Sequence, residues 1–584
     1  MRDYDCAEFI SGTTSRDEQT KDDEAMSDQK IFDFIIAGGG SAGCVLANRL
    51  SASGKWQVCL IEAGPADSSP FIHMPAGIIP VVRSKILNWN YWTAPQAHCG
   101  NRQMYWPRGR TLGGSSSINA MCYVRGHAWD YDHWASLGNE GWSYKDVLPY
   151  FRRMENFEAI DKVDDGRSYH GSGGPLNVAE PRYLNPLMKA FVAAGREAGH
   201  AVTDDFNGAQ QEGVGYYHTM QKNGQRCSNA RGFLDPVKGR ANLTVIARAH
   251  VARVLFEGKR AVGVRYLSGG RIHDVRASQE VILSAGAIGS PQVLLLSGVG
   301  PKAELARHAI PQVHELPGVG ENLQDHLDIH ITMRERTRHS ISLRPLGLLK
   351  GAWGLIRYLF GRRGELTSNF AQAGGFIRSN AEQTVPDLQW HLVPFVYANH
   401  GQNLAPLFRH YAYTLMTCFL RPESRGRLTL RDGDPMSAPL IDANYLATER
   451  DLQALVEGFR KARELLAQPA IARHAVDELE PGRAVQSDDD IRAYIRAKSE
   501  TVYHPIGTCK MGRDAMAVVD PRLRVHGLTG LRVVDASIMP TLIGGNTNAP
   551  TTMIAERAAD LILQDAALAR SVPNYEGATA AAVA

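Results

Sequence analysis

The sequence predicts an α/β protein with more than one domain, and three observations support this fold class. The chain has 584 residues, 44% of them hydrophobic and 21% charged, which is enough globular sequence for two cores. An apolar run, Ile31–Ala37, leads directly into a glycine-rich loop and a helix-like segment, the usual start of a β-α-β unit. Strand-like segments at 388–396 and 411–420 predict a second domain with its own sheet.

Charge and cysteine content exclude several classes of protein. Lysine and arginine number 64 against 61 aspartates and glutamates, a net charge of +3, so the chain lacks the basic field of a nucleic-acid-binding protein. The eight cysteines are scattered without a C-x-x-C pair, which predicts neither a metal site nor a disulfide framework. These features favour a reducing, cytoplasmic compartment.

Both ends of the chain have the composition of tails. Residues 1–30 hold nine acidic and four basic residues and no apolar core, which argues against a signal peptide and predicts a disordered tail. A regulatory arm is the alternative. The alanine-rich end predicts a frayed tail over 567–584.

Two apolar segments raise the question of membrane contact. Residues 281–300 contain Pro291 and many glycines and serines, so they predict a buried strand, a turn and a helix rather than a membrane span. Residues 340–363 combine an apolar stretch with lysine and arginine, and from 334 to 363 there are eight basic residues and one acid. A basic amphipathic helix of this kind can lie on the inner face of a membrane as a peripheral contact. A helix that buries its apolar face against its own domain is the alternative and the more common arrangement.

The loop after the first strand carries a dinucleotide-binding fingerprint. Residues 38–43, GGGSAG, satisfy G-x-G-x-x-G, and a second strand ends at Glu62, nineteen residues after Gly43. Gly38 permits the tight turn, Gly40 lets the backbone approach a pyrophosphate, and Gly43 lets the helix pack on the strand. The helix N-terminus attracts the phosphates, and Glu62 accepts hydrogen bonds from the ribose hydroxyls. This unit alone does not distinguish NAD from FAD.

A second glycine-rich loop lies at residues 109–119. It places two adjacent glycines, Gly113 and Gly114, before three serines and Asn119. A structural turn does not need this combination. It is typical of backbone that packs closely against a flat ligand or a phosphate, with the asparagine amide available to polar ring atoms.

The order of these and later motifs resembles that of the glucose–methanol–choline (GMC) oxidoreductase family. Residues 109–132 fit the family's first signature and residues 286–301 its second. The resemblance spans about residues 31–565, and the choline dehydrogenase-like branch with its bacterial alcohol dehydrogenases is the most similar. Further matches lie at 316–326, 503–512, 535–540 and 546–551.

The resemblance implies a Rossmann-like FAD-binding domain and a second, α+β substrate-binding domain built on a mostly antiparallel sheet. The FAD-binding domain is expected at 31–150, 226–326 and 496–566, and the substrate-binding domain at 151–225 and 327–495. By the same resemblance, the residues that hold FAD are Gly38, Gly40, Ser41, Ala42, Gly43, Glu62, Arg110, Gly113, Gly114, Asn119, Ala120, Val251, Asp535, Ala536 and Thr547.

One position departs from a subset of the family. Members that attach FAD covalently do so through a histidine directly before the loop asparagine, and this position is Ile118 here. Because isoleucine has no nucleophile, we expect noncovalent FAD.

The resemblance also identifies a catalytic pair. Alcohol oxidation needs a base for the hydroxyl proton, which a neutral histidine supplies, while the flavin accepts the hydride. His504 falls on the family's catalytic histidine, and Asn548 falls on its usual partner, which hydrogen-bonds the alcohol oxygen. His326 is expected to have a structural role at the domain junction, and Cys509 to be a packed thiol.

The residue at position 372 bears on the substrate. Choline-oxidising relatives have a glutamate before Ala-Gly-Gly-Phe, where this chain has Gln372. A neutral amide does not complement a quaternary ammonium, so Gln372 predicts a neutral primary alcohol rather than choline. The expected product is the aldehyde, with electrons passed to a quinone, a cytochrome or a dye.

Three alternatives stay open from the sequence. The first is an oxidase that reduces O2, and the second is a hydroxynitrile lyase that keeps FAD only as a scaffold. The third is a flavin-binding protein without turnover.

Overall fold

The computed structural model of the chain describes residues 30–397 and 402–571. The predicted N-terminal tail, apart from Lys30, and residues 572–584 of the predicted C-terminal tail lie outside the described residues. Within the described ranges, the helices of nine or more residues are Ser41–Leu50, Ala128–Ser136, Tyr144–Met154, Pro186–Glu197, Gly286–Leu296, Pro345–Gly361, Glu449–Leu466, Asp488–Lys498 and Asn548–Ser571.

A seven-stranded sheet forms the first core, and five of its strands are parallel. The middle strand, Ile31–Ala37, is apolar except for Asp33 because both faces of the sheet are covered, and Phe34, Ile35 and Ile36 are fully buried. The helix Ser41–Leu50 packs against this strand. In spatial order the parallel strands are Leu243–Ala247, Val58–Glu62, Ile31–Ala37, Arg271–Leu283 and Leu531–Val533.

The long strand Arg271–Leu283 also carries an antiparallel extension of this sheet. Its first half pairs with Arg260–Ser268, which in turn pairs with Ala249–Glu257. The last described helix, Asn548–Ser571, packs against Ser41–Leu50. The C-terminal segment of the chain therefore supports the same unit as its first strand.

A second sheet of eight strands forms the other core. It is antiparallel except for the pair between Val202–Thr203 and Gly213–Tyr216, and the helix Glu449–Leu466 packs on it. The fold class is therefore confirmed as a Rossmann-like domain with a second α+β domain. In spatial order the strands are Ala475–Glu480, Leu327–Glu335, Ala412–Phe419, Leu388–Val393, Ala373–Ile377, Gly213–Tyr216 and Val202–Thr203, with Glu500–Thr501 on Leu327–Glu335.

Two predicted boundaries differ from the structure. The strand Glu500–Thr501 pairs with the second sheet, although the expected boundary of the FAD-binding domain is at 496. The last described helix continues to Ser571, past the predicted limit of 566, and Leu568 in this extension is 65% exposed. Residues 281–300 form the predicted strand end, turn and helix, and no helix within 30–397 or 402–571 has the length and apolar character needed to cross a bilayer.

Candidate active site

A cleft with a cavity volume of about 310 Å³ opens where three parallel strands end, at Ala37, Glu62 and Leu283. Ligands of open α/β sheets bind at this edge. Most of the predicted site residues line the cleft together. They are Gly38, Gly40, Ser41, Ala42, Glu62, Gly114, Asn119, Ala120, Val251, His504, Asp535, Ala536, Thr547 and Asn548.

The two glycine-rich loops pack against each other at this edge. Gly38 has φ +110°, and a Cβ on Gly43 would lie 1.9 Å from the Gly38 carbonyl oxygen, so that glycine lets the helix approach the strand. A Cβ on Gly114 would lie 2.7 Å from the Cα of Gly40, and the N–H of Gly113 donates to the Gly39 carbonyl at 2.7 Å. Gly43 and Gly113 therefore shape the cleft without lining it.

Glu62 is buried beside the first loop. Its Oε2 accepts a hydrogen bond from the Gly39 N–H and its Oε1 from the Gly64 N–H, both at 2.8 Å. Burial raises the pKa of the Glu62 carboxyl to about 7, against the opposing effect of these two donors and of the Arg110 charge. Arg110 does not line the cleft; its guanidinium lies 4.9 Å from the centre of the Trp89 ring.

Arg226, which no sequence pattern marks, holds the second glycine-rich loop from behind. It is 1% exposed and donates to the carbonyl oxygens of Ile72, Ser116 and Asn119 and to Oδ1 of Asn119. Burial lowers its pKa to about 9, and the described residues give it no carboxylate partner. A buried cation without a counter-charge favours an anionic ligand in the adjoining cleft.

The cleft has the groups that FAD requires. The helix Ser41–Leu50 has no side-chain N-cap, which leaves its first N–H groups available to a pyrophosphate. Glu62 offers carboxylate lone pairs to ribose hydroxyls, and the glycine loops leave room for close approach. Ile118 lines the same cleft and supplies no atom for a covalent tether.

Asp535 closes another part of the cleft wall through the protein's own hydrogen bonds. Its Oδ2 accepts from the Gly286 N–H at 2.9 Å and from Ser290 Oγ at 2.6 Å, and its Oδ1 accepts from the Ser537 N–H. The carboxylate therefore ties the start of the helix Gly286–Leu296 to the segment that holds Ala536.

His504 is hydrogen-bonded at both ring nitrogens. Its Nδ1 lies 2.9 Å from Nδ1 of His326, whose Nε2 lies 3.1 Å from the Leu420 carbonyl oxygen. A carbonyl only accepts, so His326 donates through Nε2. Burial lowers the pKa of His326 to about 3, so this ring is neutral and its Nδ1 accepts. His504 therefore carries its proton on Nδ1.

The other side of His504 leads to the same assignment. Tyr217 donates to the Trp390 carbonyl at 2.7 Å, so its oxygen accepts from Nε2 of Gln389 at 3.2 Å. The same Gln389 nitrogen donates to Oδ1 of Asn546 at 3.1 Å, which turns Nδ2 of Asn546 to within 3.2 Å of Nε2 of His504. An amide nitrogen only donates, so Nε2 of His504 holds a lone pair, as a general base must.

Electrostatics keep His504 neutral. Burial lowers its pKa well below the usual histidine value, and the nearby rings of His326 and His391 and the Arg108 cation act in the same direction. Its main-chain N–H donates to Oδ1 of Asp325 at 2.7 Å. The ring is thus anchored through its backbone without a carboxylate against the base nitrogen.

The residue before His504 is held in a rare backbone conformation. Tyr503 has φ +71°, which is unfavourable for an aromatic residue. Its N–H donates to Oγ1 of Thr501 at 2.8 Å and its carbonyl accepts from Arg108 at 2.6 Å. These contacts fix the turn that directs His504 toward the cleft.

Asn548 lines the same cleft but is bonded to other groups. Its Oδ1 accepts from Ser41 Oγ at 2.7 Å, and its Nδ2 donates to the Met220 sulfur at 3.1 Å. The structure therefore brings Asn546, rather than Asn548, into contact with His504. The sequence offers both asparagines two positions apart, and only the fold distinguishes them.

Gln372 does not line the cleft, which corrects its expected role in substrate binding. The side chain is fully buried, its Oε1 accepts from the Asn185 N–H at 3.0 Å, and its Nε2 donates to the Tyr183 carbonyl. Both ends of the amide are therefore occupied by main chain ahead of the helix Pro186–Glu197. In this structure Gln372 is a structural residue.

Comparisons with known proteins agree on one family. The GMC oxidoreductase family models match residues 32–328 and 422–555. An alcohol dehydrogenase (acceptor) of Pseudomonas putida is 51% identical over 536 residues, which cover 91% of this chain and 96% of that protein. An oxygen-dependent choline dehydrogenase of Pectobacterium carotovorum is 46% identical over 550 residues, 93% of this chain and 97% of that protein. The crystal structure of pyridoxine 4-oxidase from Mesorbium loti matches with a TM-score of 0.79 and 31% identity, covering 90% of this chain and 98% of that one.

The raised pKa of Glu62 predicts that FAD binding depends on pH. Ribose hydroxyls donate to an ionised carboxylate, whereas Glu62 in the free protein is protonated below about pH 7. We expect the affinity of the apoprotein for FAD to fall as the pH drops below about 7, by up to tenfold per pH unit, and to level off above it. Fluorescence titration of FAD at several pH values measures this dependence.

The matched control is Glu62→Gln, which is uncharged at every pH. Its affinity for FAD should be lower than that of the wild type at pH 8 and nearly constant across the range. A wild-type dissociation constant that does not change with pH would contradict the role of this carboxylate.

Proposed function

The chain belongs to the GMC oxidoreductase family, and on this premise we propose that it oxidises a neutral primary alcohol to the aldehyde with His504 as the base and passes the electrons to a quinone. It is an FAD-dependent alcohol dehydrogenase. The observation that carries the finer proposal is the directed hydrogen-bond chain, which leaves a lone pair on Nε2 of His504 inside the cleft.

His504 accepts the hydroxyl proton in this mechanism. The alcohol O–H donates to Nε2 of His504 in place of the Asn546 amide, and the proton moves to Nε2 as the alkoxide forms. When bound, FAD supplies the acceptor for the hydride that leaves the alcohol carbon, so two electrons and one proton leave with the hydride and the second proton stays on His504. The product is the aldehyde.

Neighbouring groups stabilise the charges that form in this step. Nδ1–H of His504 keeps its acceptor on His326 after proton transfer, which holds the imidazolium in the same orientation. The amide of Asn546, held by Gln389, donates a hydrogen bond to the alkoxide oxygen. We propose that Asn548, which lines the same cleft, serves as a second, weaker donor, since its amide already has partners.

The lining of the cleft supports a neutral substrate. Ile78, Ile118, Met121 and Val502 contribute apolar surface to the same cleft as His504, and Arg108 contributes a cation. The acids that line the cleft are Glu62, which belongs to the ribose position, and Asp535, which is occupied by main-chain and hydroxyl donors. Among the described residues, a quaternary ammonium would thus find a like charge and no free carboxylate in the cleft lining.

We propose the electron acceptor from the relatives' names, and a direct comparison of a quinone with O2 tests it. The name of the Pseudomonas putida relative specifies an acceptor, whereas that of the Pectobacterium carotovorum relative specifies oxygen. Anaerobically reduced enzyme mixed with a soluble quinone or with air-saturated buffer distinguishes a dehydrogenase from an oxidase. Faster flavin reoxidation by O2 than by the quinone would contradict this part of the proposal.

His504→Ala tests the assignment of the base. The variant should retain FAD and a normal flavin spectrum, because the ring hydrogen-bonds to His326 and Asn546 rather than to the glycine-rich loops, yet its flavin should be reduced by alcohol about 10²–10⁴ times more slowly. Anaerobic stopped-flow absorbance measures the reductive step. His98→Ala, at an exposed histidine, is the control and should react at the wild-type rate. A His504→Ala rate within about fivefold of wild type places the base elsewhere.

Asn546→Ala and Asn548→Ala form a matched pair that tests the hydrogen-bond chain. Asn546 contacts His504, so its loss should slow flavin reduction by about 10²-fold, whereas the loss of Asn548 should slow it less. The same stopped-flow assay, with FAD content measured for each variant, compares them. A larger effect at Asn548 would contradict the role assigned to Asn546.

Substrate preference provides the third test. Flavin reduction by 1-butanol, benzyl alcohol and a short polyether should exceed reduction by choline by about tenfold or more in kcat/KM, since burying the ammonium without a partner opposes binding. Steady-state and stopped-flow assays with the four alcohols make the comparison. Choline as the fastest substrate would overturn the argument from the cleft lining.

A further inference from the structure

The helix Pro345–Gly361 packs against the rest of the protein through only a narrow strip of its surface. Of its seventeen residues, only Gly354 and Tyr358 are buried, although the helix is strongly apolar. Phe360 is 90% exposed, Leu349 68% and Trp353 60%. The other large apolar residues that it exposes are Leu346, Leu348, Leu355, Ile356 and Leu359.

The exposed apolar residues form one continuous face. At 3.6 residues per turn, Leu349, Trp353, Ile356 and Phe360 follow one another along the side of the helix opposite the buried strip. Leu348, Ala352, Leu355 and Leu359 widen this face, and no charged residue of the helix lies within it. A surface helix of a globular protein normally turns such a face inward, but here it points to solvent.

Positive charge surrounds this face. Arg338 and Arg344 precede the helix and Arg362 and Arg363 follow it, all four exposed and without an acidic partner among the described residues. Lys350 and Arg357 lie along the helix beside the buried strip, and Arg357 is 3.7 Å from Glu365. The surroundings of the apolar face are thus strongly cationic.

We propose that the helix Pro345–Gly361 docks in the interface of an anionic phospholipid bilayer. Its apolar face would enter the boundary between headgroups and acyl chains, and the four arginines at its ends would meet lipid phosphates. The helix is about 25 Å long and has charged residues along one side, so it lies in the plane of the membrane rather than across it. Of the two alternatives that the sequence pattern left open, the proposal takes membrane contact, because the apolar face of the helix is exposed rather than buried against its own domain.

The docking helix lies close to the wall of the FAD cleft. It packs on the turn Glu365–Thr367, which packs on Pro75–Gly77, and the next residues include Ile78 and Val82 of the cleft lining. A docked bilayer is therefore separated from the cleft by these two short turns. Lipid binding itself does not depend on the proposed function; delivery of electrons to a quinone dissolved in that bilayer does.

Vesicle co-sedimentation of the FAD-loaded, full-length protein tests the docking. The probes are phosphatidylcholine vesicles and phosphatidylcholine vesicles with about one-third phosphatidylglycerol, at low and high salt. We expect binding to the anionic vesicles, weakened by salt, and at least about tenfold weaker binding to the neutral ones.

Two double variants separate the apolar and the electrostatic contributions. Leu349→Glu with Phe360→Glu should weaken binding to the anionic vesicles at least about tenfold, because both side chains are exposed and lose only lipid contact. Arg362→Gln with Arg363→Gln should lose most of the preference for anionic lipid, at about fivefold per cation. The control Ile272→Glu, at a 43% exposed position on the strand Arg271–Leu283, should bind as the wild type does.

Activity with a soluble dye shows that each variant is folded and active, independently of lipid binding. Failure of the wild type to sediment with anionic vesicles overturns the proposal. So does a wild-type dimer that the Leu349→Glu and Phe360→Glu substitutions dissociate in solution, since a second copy of the chain would then cover this face.

Discussion

A carbonyl oxygen only accepts hydrogen bonds, and two such oxygens determine which nitrogen of the His504 ring carries its proton. His326 donates through Nε2 to the Leu420 carbonyl, so its Nδ1 accepts the hydrogen bond from Nδ1 of His504. On the other side, Tyr217 donates to the Trp390 carbonyl and accepts from Gln389. The same Gln389 nitrogen donates to Oδ1 of Asn546, whose amide nitrogen donates to Nε2 of the His504 ring. Both routes place the lone pair of the ring on Nε2, where it accepts a hydrogen bond from the Asn546 amide. The tautomer that the proposed base needs is therefore set by hydrogen bonds that end at main-chain carbonyls rather than by a neighbouring carboxylate.

Burial without a paired charge recurs around the cleft. It raises the pKa of Glu62, lowers that of Arg226 and keeps His504 neutral, each in the direction that favours the uncharged form. The free protein thus holds a carboxyl acceptor, Glu62, for ribose hydroxyls, and Arg226 holds the second glycine-rich loop from behind. The low polarity of the site therefore acts on two properties, the pKa of the Glu62 carboxyl and the protonation state of His504.

The docking helix shows the opposite arrangement, with apolar surface exposed where most of the chain buries it. The strands of the two sheets bury their apolar side chains almost completely; Phe34 and Trp390, one from each sheet, are inaccessible to water. The helix Pro345–Gly361 instead exposes most of its large side chains. Exposing so much apolar surface to water is unfavourable, and folded proteins keep such a surface where a membrane or a partner removes it from water. The closeness of this helix to the cleft connects that surface with the site of chemistry.

The sequence by itself determined the features that arise within short stretches of chain. The strand, glycine loop and helix of residues 31–50, with Glu62 at the end of the next strand, follow from local spacing, and so do the apolar and basic character of residues 340–363. Only the tertiary structure decided which of Asn546 and Asn548 meets His504, that Gln372 is bonded to main chain away from the cleft, and that Arg226 lies behind it. These contacts join residues that are 42, 187 and 107 positions apart. Side-chain partners at such separations depend on how two sheets and their connecting segments pack, and local periodicity carries no information about that packing.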